Sequence, residues 1–310
     1  MNLSASLESR CTEAVARAAT YIRGRQSKSG GFCFYQHGSL QEPNLGDTYY
    51  AVSALKICGS EVPNGRRTAD FVGNARIFGL TYLYFCAFTL DRLGFGNRVS
   101  VQALEQIRAL TVTLPDGTRS INASDWLESV RKTLRLHWRF ESSGPLGIKG
   151  GSAAAVSPSP AHLTVEQDRY AELKQFVRDL LRRGGCGVHA NVWDTYLALA
   201  IGSLLGIEPT AETRAFVDSL QQPPFGFLMT SRSVMPSLDV VYAGVRCCEL
   251  LRLPVRYERH AIGFALSCQT SDGGFSHAPA ALPNLEFTYR ALQTLARLAP
   301  PVRASTAATP

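Results

Sequence analysis

One short pattern returns six times along the chain at nearly regular intervals, and a repeat of that length dictates architecture before composition does. Four copies carry it fully: PNLGDTYYAVSAL from Pro43, ANVWDTYLALA from Ala190, PSLDVVYAGV from Pro236 and PNLEFTYRALQTL from Pro283. Each reads Asn or Ser, an aliphatic residue, an acid, then a tyrosine: Tyr49, Tyr196, Tyr242 and Tyr289. The acid stands two residues before the tyrosine in Asp47 and Asp194, and three before it in Asp239 and Glu286. FGLTYLYF from Phe78 keeps Thr81 and Tyr82 without the acid, and NASDWL from Asn122 keeps Asn122 and Asp125 with Leu127 at the tyrosine position. Successive copies lie 33, 45, 69, 46 and 47 residues apart. Residues 141–162 are rich in Gly, Ser, Pro and Ala and lack periodicity; setting aside those 22 residues reduces the outlying 69 to 47.

Each copy runs on at helical spacing, as in Tyr49, Val52, Leu55 and Tyr289, Leu292, Leu295, with the preceding Asn or Ser placed to cap it. Glycine follows at Gly59 and Gly94, where such helices stop. A more amphipathic helix precedes the copies, over 7–23, 67–74, 101–110, 165–181, 213–220 and 257–268. The unit is therefore outer helix, loop, apolar inner helix. The reading is one domain over 1–310, with a flexible insert at 141–162 and a disordered tail from about 300. A second motif sits between the helices: QSKSGGF from Gln26, QTSDGGF from Gln269 and a degenerate QPPFGFL from Gln222. Its glycines permit turns, its Gln amide caps backbone, and its aromatic plugs the gap between layers, so it reads as a staple.

Composition allows a large core, with 45% hydrophobic and 18% charged residues. The N-terminal stretch has no apolar run fit for a signal peptide, and no run of about 18 apolar residues exists to span a membrane. The expectation is a soluble, cytoplasmic protein. The eight cysteines form no C-x-x-C pair and read as buried thiols. The net charge of +7 is mostly dispersed arginine; no nucleic-acid reading motif accompanies it, leaving a positive cavity mouth or a solvated basic surface.

Q-x-x-x-G-G-F followed by a T-Y-x-A-L-x-x-L helix resembles the prenyltransferase and squalene-cyclase repeat, over roughly residues 5–298. GGFCF from Gly30 and DTYYAVSALKICG from Asp47 look most like protein prenyltransferase β-subunits. The resemblance implies an all-α (α/α)6 toroid of six helical hairpins, with inner helices around an apolar funnel that takes a prenyl diphosphate. It also implies a catalytic zinc held by Asp, Cys and His. Here Asp239 matches the Asp, Val241 replaces the Cys and Glu286 replaces the His, so Zn²⁺ is poorly served. Tyr242 matches a diphosphate-holding position; Arg232 lies in the loop before it, and His189 lies near a family histidine position now occupied by Asn191. The cyclase acid motif D-x-D-D is absent, and NVWDT retains Asp194 with Trp193 at the proton-donating position.

The candidate catalytic residues are Asp239, Glu286 and Asp194. The sharp reading has Asp239 and Glu286 facing each other in the funnel, as a proton-donating pair or as the ligands of Mg²⁺. The plain reading has every acid capping its own helix. Tyr242, Tyr289, Tyr196, Trp193, Tyr82, Arg232 and His189 are the candidate substrate contacts, with aromatic core packing as the alternative. Three functions stay open: an isoprenoid-processing transferase, a terpene cyclase, and a non-catalytic toroid binding a lipid or a partner protein. The β-subunits resembled work beside a helical-repeat partner subunit.

Overall fold

The computed structural model describes residues 3–34, 36–37, 40–112, 114, 123–140, 167–187 and 190–299. The insert at 141–162, the tail from about 300, Asn122 and His189 lie outside the described residues. Helices follow one another in pairs: α1 (Leu3–Gly24) leads to α2 (Leu45–Ile57), and α3 (Gly65–Gly73) to α4 (Gly79–Arg92). Next come α5 (Val101–Arg108) and α6 (Ala123–Phe140), then α7 (Gln167–Arg182) and α8 (Val192–Leu205). The last pairs are α9 (Ala211–Ser219) with α10 (Leu238–Leu251), and α11 (Glu258–Ser267) with α12 (Leu285–Leu298). The second helix of each pair packs against the second helix of the next, and α12 packs back on α2. The six therefore close into a ring, and their partners clothe its outside: α1 bridges α2 and α12, α11 bridges α10 and α12, and α7 covers α8. This is the all-α toroid that the repeat count implies.

The inner helices start where the pattern places them. Asn44, Asn191, Ser237 and Asn284 each accept a backbone N–H from the first turn of α2, α8, α10 and α12. The conserved offset of the threonine before the tyrosine has a structural cause. Thr48 donates to the Asn44 carbonyl at 2.6 Å and accepts the Phe32 N–H at 3.0 Å. Thr288 does the same with Asn284 and Phe275, at 2.6 and 3.0 Å, and Thr195 with Asn191 and Cys186, at 2.6 and 3.1 Å. One hydroxyl thus ties the staple loop to the start of the inner helix, and Phe32 and Phe275 are fully buried beside it.

Gln26 and Gln269 act as the staple requires. Gln269 donates to the Ala14 carbonyl at 2.8 Å and to Gly273 at 2.9 Å, joining the last pair to the first. The third copy is shifted from its sequence reading. Gln221, not Gln222, faces Phe227 across the hairpin of β3 (Gln221–Gln222) and β4 (Gly226–Phe227), and its amide donates to Pro254 at 3.2 Å. The six-residue step from glutamine to phenylalanine is kept in all three copies, whereas the diglycine that guided the alignment is not.

The helix stops are uneven in cost. Gly59, Gly94 and Gly206 take left-handed backbone at the ends of α2, α4 and α8, but α10 ends on Arg252 with φ 54°, a conformation that strains a residue with a Cβ. Arg252 is exposed. Arg252→Gly is expected to stabilise the fold by about 1 kcal/mol, seen as a raised midpoint in thermal unfolding; an unchanged or lowered midpoint contradicts the assignment.

Candidate functional site

A helix in a closed ring buries every face but one, and that face meets the other five at the axis. The tyrosine of the repeat begins this inward stripe, and helical steps continue it: Tyr242, Arg246, Leu250 on α10, and Tyr289, Gln293, Arg297 on α12. From α8 come Trp193, Tyr196, Ala200 and Leu204, and from α6 Glu128, Arg131, Lys132 and Arg135. Tyr84, Phe85 and Arg92 on α4, Tyr49 and Tyr50 on α2, and Glu286 and Arg290 on α12 also line this cavity of about 610 Å³. That volume suits a small organic ligand, within the common range of about 300–1,000 Å³.

The wall is aromatic and cationic together. Tyr196 and Tyr242 bring their hydroxyls to 3.3 Å, and Tyr49 and Tyr84 theirs to 3.4 Å. Tyr289 adjoins the second pair, its ring centroid 6.4 Å from that of Tyr49. Burial pushes the Tyr289 phenol up to about 12, with the neighbouring Tyr49 adding to the rise. Seven cations line the same cavity: Arg92, Arg131, Lys132, Arg135, Arg246, Arg290 and Arg297.

Five of the seven have carboxylates. Glu128 takes Arg131 in two hydrogen bonds, at 2.6 and 2.9 Å, and Lys132 at 3.6 Å. Burial alone would raise the Glu128 carboxyl, but Arg131 and Lys132 outweigh it and hold it below the ordinary value. Glu249 binds both Arg246 and Arg297, the latter at 2.8 Å. Arg290 pairs with Asp239 and with Glu286, while Tyr50 donates to Glu286 at 2.8 Å and the guanidinium lies 4.8 Å over the Trp193 ring. Burial works against the charge of Arg290, and its two carboxylates more than offset that. Arg92 and Arg135 have no carboxylate among the described residues; they lie over aromatic rings instead.

The ring of acids expected at the helix starts divides by role. Asp194 is buried, takes the Ser124 hydroxyl and the Asn191 amide at 2.8 Å, and so locks the cap of α8. Asp47 repeats that arrangement with Asn44 and the Phe34 N–H; burial raises its carboxyl, and those two hydrogen bonds limit the rise. Asp125 is exposed. Asp239 and Glu286 do approach each other, but through Arg290. The bare acid pair of the sequence reading is thus corrected to a carboxylate–guanidinium–carboxylate bridge, in which Arg290 engages both acids. The zinc donor set fits no better, since Val241 is fully buried aliphatic at the thiolate position. Nowhere among the described residues do three His, Cys, Asp or Glu side chains converge.

Trp193, Tyr196, Tyr242 and Tyr289 line the cavity. Tyr82 does not: it is 42% exposed and meets Phe78 edge-on, while Tyr84 takes the inward place, because α4 enters the ring in a different register from the tyrosine-aligned copies. Arg232 is exposed in the loop before α10 and is not part of the wall, its local spacing having put it beyond the helix start. The funnel is correspondingly not apolar. A solitary arginine such as Arg246 or Arg290 reads as a surface residue, and Arg131, Lys132 and Arg135 lie on a helix charged enough to read as an outer one. At Tyr242 and Arg246 the step of four puts the arginine on the tyrosine's face.

With ring and cavity described, comparison with known families is decisive on kinship. The prenyltransferase alpha-alpha toroid domain matches residues 2–77 and 79–308. The chain belongs to that family. Comparison with curated proteins gives no match. Prenyltransferase-type toroids and this chain therefore share their scaffold. No helix among the described residues is long and apolar enough to cross a membrane.

Removing the bridging cation should leave two carboxylates facing each other. Arg290→Met is expected to destabilise the protein by about 1–3 kcal/mol at neutral pH. The deficit should shrink in acid, where protonation of a carboxyl removes the repulsion. Thermal unfolding across pH checks this; a deficit independent of pH contradicts it.

Proposed function

We propose that the central cavity binds an isoprenoid diphosphate, with its anionic head among the arginines and its hydrocarbon against the aromatic wall. Family membership supports the isoprenoid part. The observation that carries the reading is the convergence of seven cations with a belt of tyrosines in one cavity, since a plain hydrocarbon would find no use for that charge. Guanidinium groups match phosphate oxygens in paired hydrogen bonds, and phenols add further donors.

The same arrangement suits cleavage of the carbon–oxygen bond of such a ligand. Cations fixed in a partly desolvated cavity would stabilise the negative charge that grows on the departing diphosphate. The faces of Trp193, Tyr196 and Tyr242 would stabilise the allylic cation left behind. Arginine would then do the charge neutralisation that a metal does elsewhere, which agrees with the misfit of the zinc and magnesium donor sets. Protonation of an alkene is less well served, because it asks for a neutral carboxyl and Asp239 and Glu286 are both committed to Arg290.

Incubation with prenyl diphosphates of several lengths, followed by mass spectrometry and a diphosphate-release assay, tests the reading. Binding of the diphosphates but not of the parent alcohols is expected, weakening as salt rises, with release of diphosphate that persists in a chelator. Equal binding of alcohol and diphosphate contradicts the reading.

A further inference from the structure

Two of the seven cavity cations differ from the rest in a way the overall count conceals. Arg131, Lys132, Arg246, Arg290 and Arg297 each touch a carboxylate. Arg92 and Arg135 touch none among the described residues, yet they converge. The Arg92 guanidinium lies 4.8 Å from the Tyr49 ring centroid and 5.8 Å from that of Phe88. Arg135 lies against the same cluster, 4.9 Å from Phe88 and 5.4 Å from Tyr84. Two cations on one aromatic cluster without a carboxylate leave a positive field that an anion would relieve. Tyr49 and Tyr84 put two hydroxyls beside them, 3.4 Å apart.

We propose that Arg92 and Arg135 form the seat of the anionic head within the cavity, and that Tyr49 is its phenolic hydrogen-bond donor. The ligand class rests on the isoprenoid diphosphate reading; the seat itself rests on geometry. Arg92 ends α4 whereas Tyr49 follows the first turn of α2, so the seat draws on both ends of the inner helices and uses neither Asp239 nor Glu286. A helix-end role would account for Arg92 alone. It does not account for Arg135, which precedes the last turn of α6 and faces the same rings.

The environment of Tyr49 agrees. Burial by itself would raise its phenol, but Arg92 and Arg135 outweigh that, with help from Tyr84 and Arg131, and the phenol is held below its ordinary value. Tyr50 on its own helix and Tyr289 on α12 are the remaining titratable neighbours, and both are pushed upward by burial. Tyr84 is raised by burial and by Tyr49. Tyr49 is thus the phenol set apart among those of the belt, and the two unpaired arginines are the cause.

Calorimetric titration with inorganic diphosphate and with farnesyl diphosphate tests the seat, using the full chain and its Arg92→Met, Arg135→Met and Arg246→Met variants. Arg92→Met and Arg135→Met should each weaken inorganic diphosphate binding about tenfold or more, and Arg246→Met less. Arg92→Lys and Arg135→Lys keep the charge and should recover part of the loss, which a merely unfolded variant would not. A second readout uses the unaltered protein: its tyrosinate absorbance should show one phenol ionising below the ordinary tyrosine range, absent in Tyr49→Phe. Bound diphosphate should move that ionisation to higher pH, because an anion beside Tyr49 disfavours the phenolate. Farnesyl diphosphate binding that ignores Arg92→Met and Arg135→Met keeps the ligand class and overturns the seat. Inorganic diphosphate bound through Arg92 and Arg135 without any farnesyl diphosphate binding keeps the seat and overturns the ligand class. Failure of inorganic diphosphate to bind, or to shift the phenol, overturns the seat.

Discussion

Everything functional in this chain depends on closure: α12 packing on α2 turns a row of helix pairs into a ring. An open stack would expose the inner stripes to solvent, where arginines and tyrosines are unremarkable surface residues. Closure turns six stripes toward one axis and shields them from bulk solvent. Coulomb interactions there gain strength as the effective dielectric falls, and each cation must then be paired, stacked on a ring or supplied with an anion. The contrast between the five paired cations and the Arg92–Arg135 couple becomes meaningful only under that constraint.

The closure itself rests on small, repeated local devices. Thr48, Thr195 and Thr288 each spend one hydroxyl on two backbone groups, tying the loop before an inner helix to that helix's first turn. Gln269 crosses from the last pair to the Ala14 carbonyl in the first, so the staple that serves each pair internally also serves the seam. Because these devices occupy Asn, Thr and Gln, the residues one and two turns beyond the tyrosine are free to vary. The family scaffold can thus be retained while the chemistry at the axis changes, and fold and function separate physically at those positions.

The scaffold was legible in the sequence for the same reason. Asn44 and Thr48 recur at a fixed offset in Asn191 and Thr195 because the backbone bonds they make tolerate no other spacing. Where those bonds are missing, register was lost: α4 has no side-chain cap, and Tyr82 was aligned where Tyr84 faces inward. The third staple keeps only Gly226 of the diglycine, and the six-residue step from Gln221 to Phe227 carries its register instead.

The site was less legible because its logic is long-range. Asp239 and Glu286 are marked by the repeat, but that Arg290 sits between them depends on α10 and α12 being neighbours. Arg92 and Arg135 have no local mark, and the absence of a carboxylate near them is a property of the ring, not of any segment. The central claim, that closure creates an anion chamber whose unpaired charge lies between Arg92 and Arg135, is tested most directly by anomalous diffraction from crystals soaked in tungstate. The account predicts an anomalous peak inside the ring within hydrogen-bonding reach of both guanidinium groups and the Tyr49 hydroxyl. An anomalous peak confined to the outer surface, with Arg92 and Arg135 unligated, would contradict it.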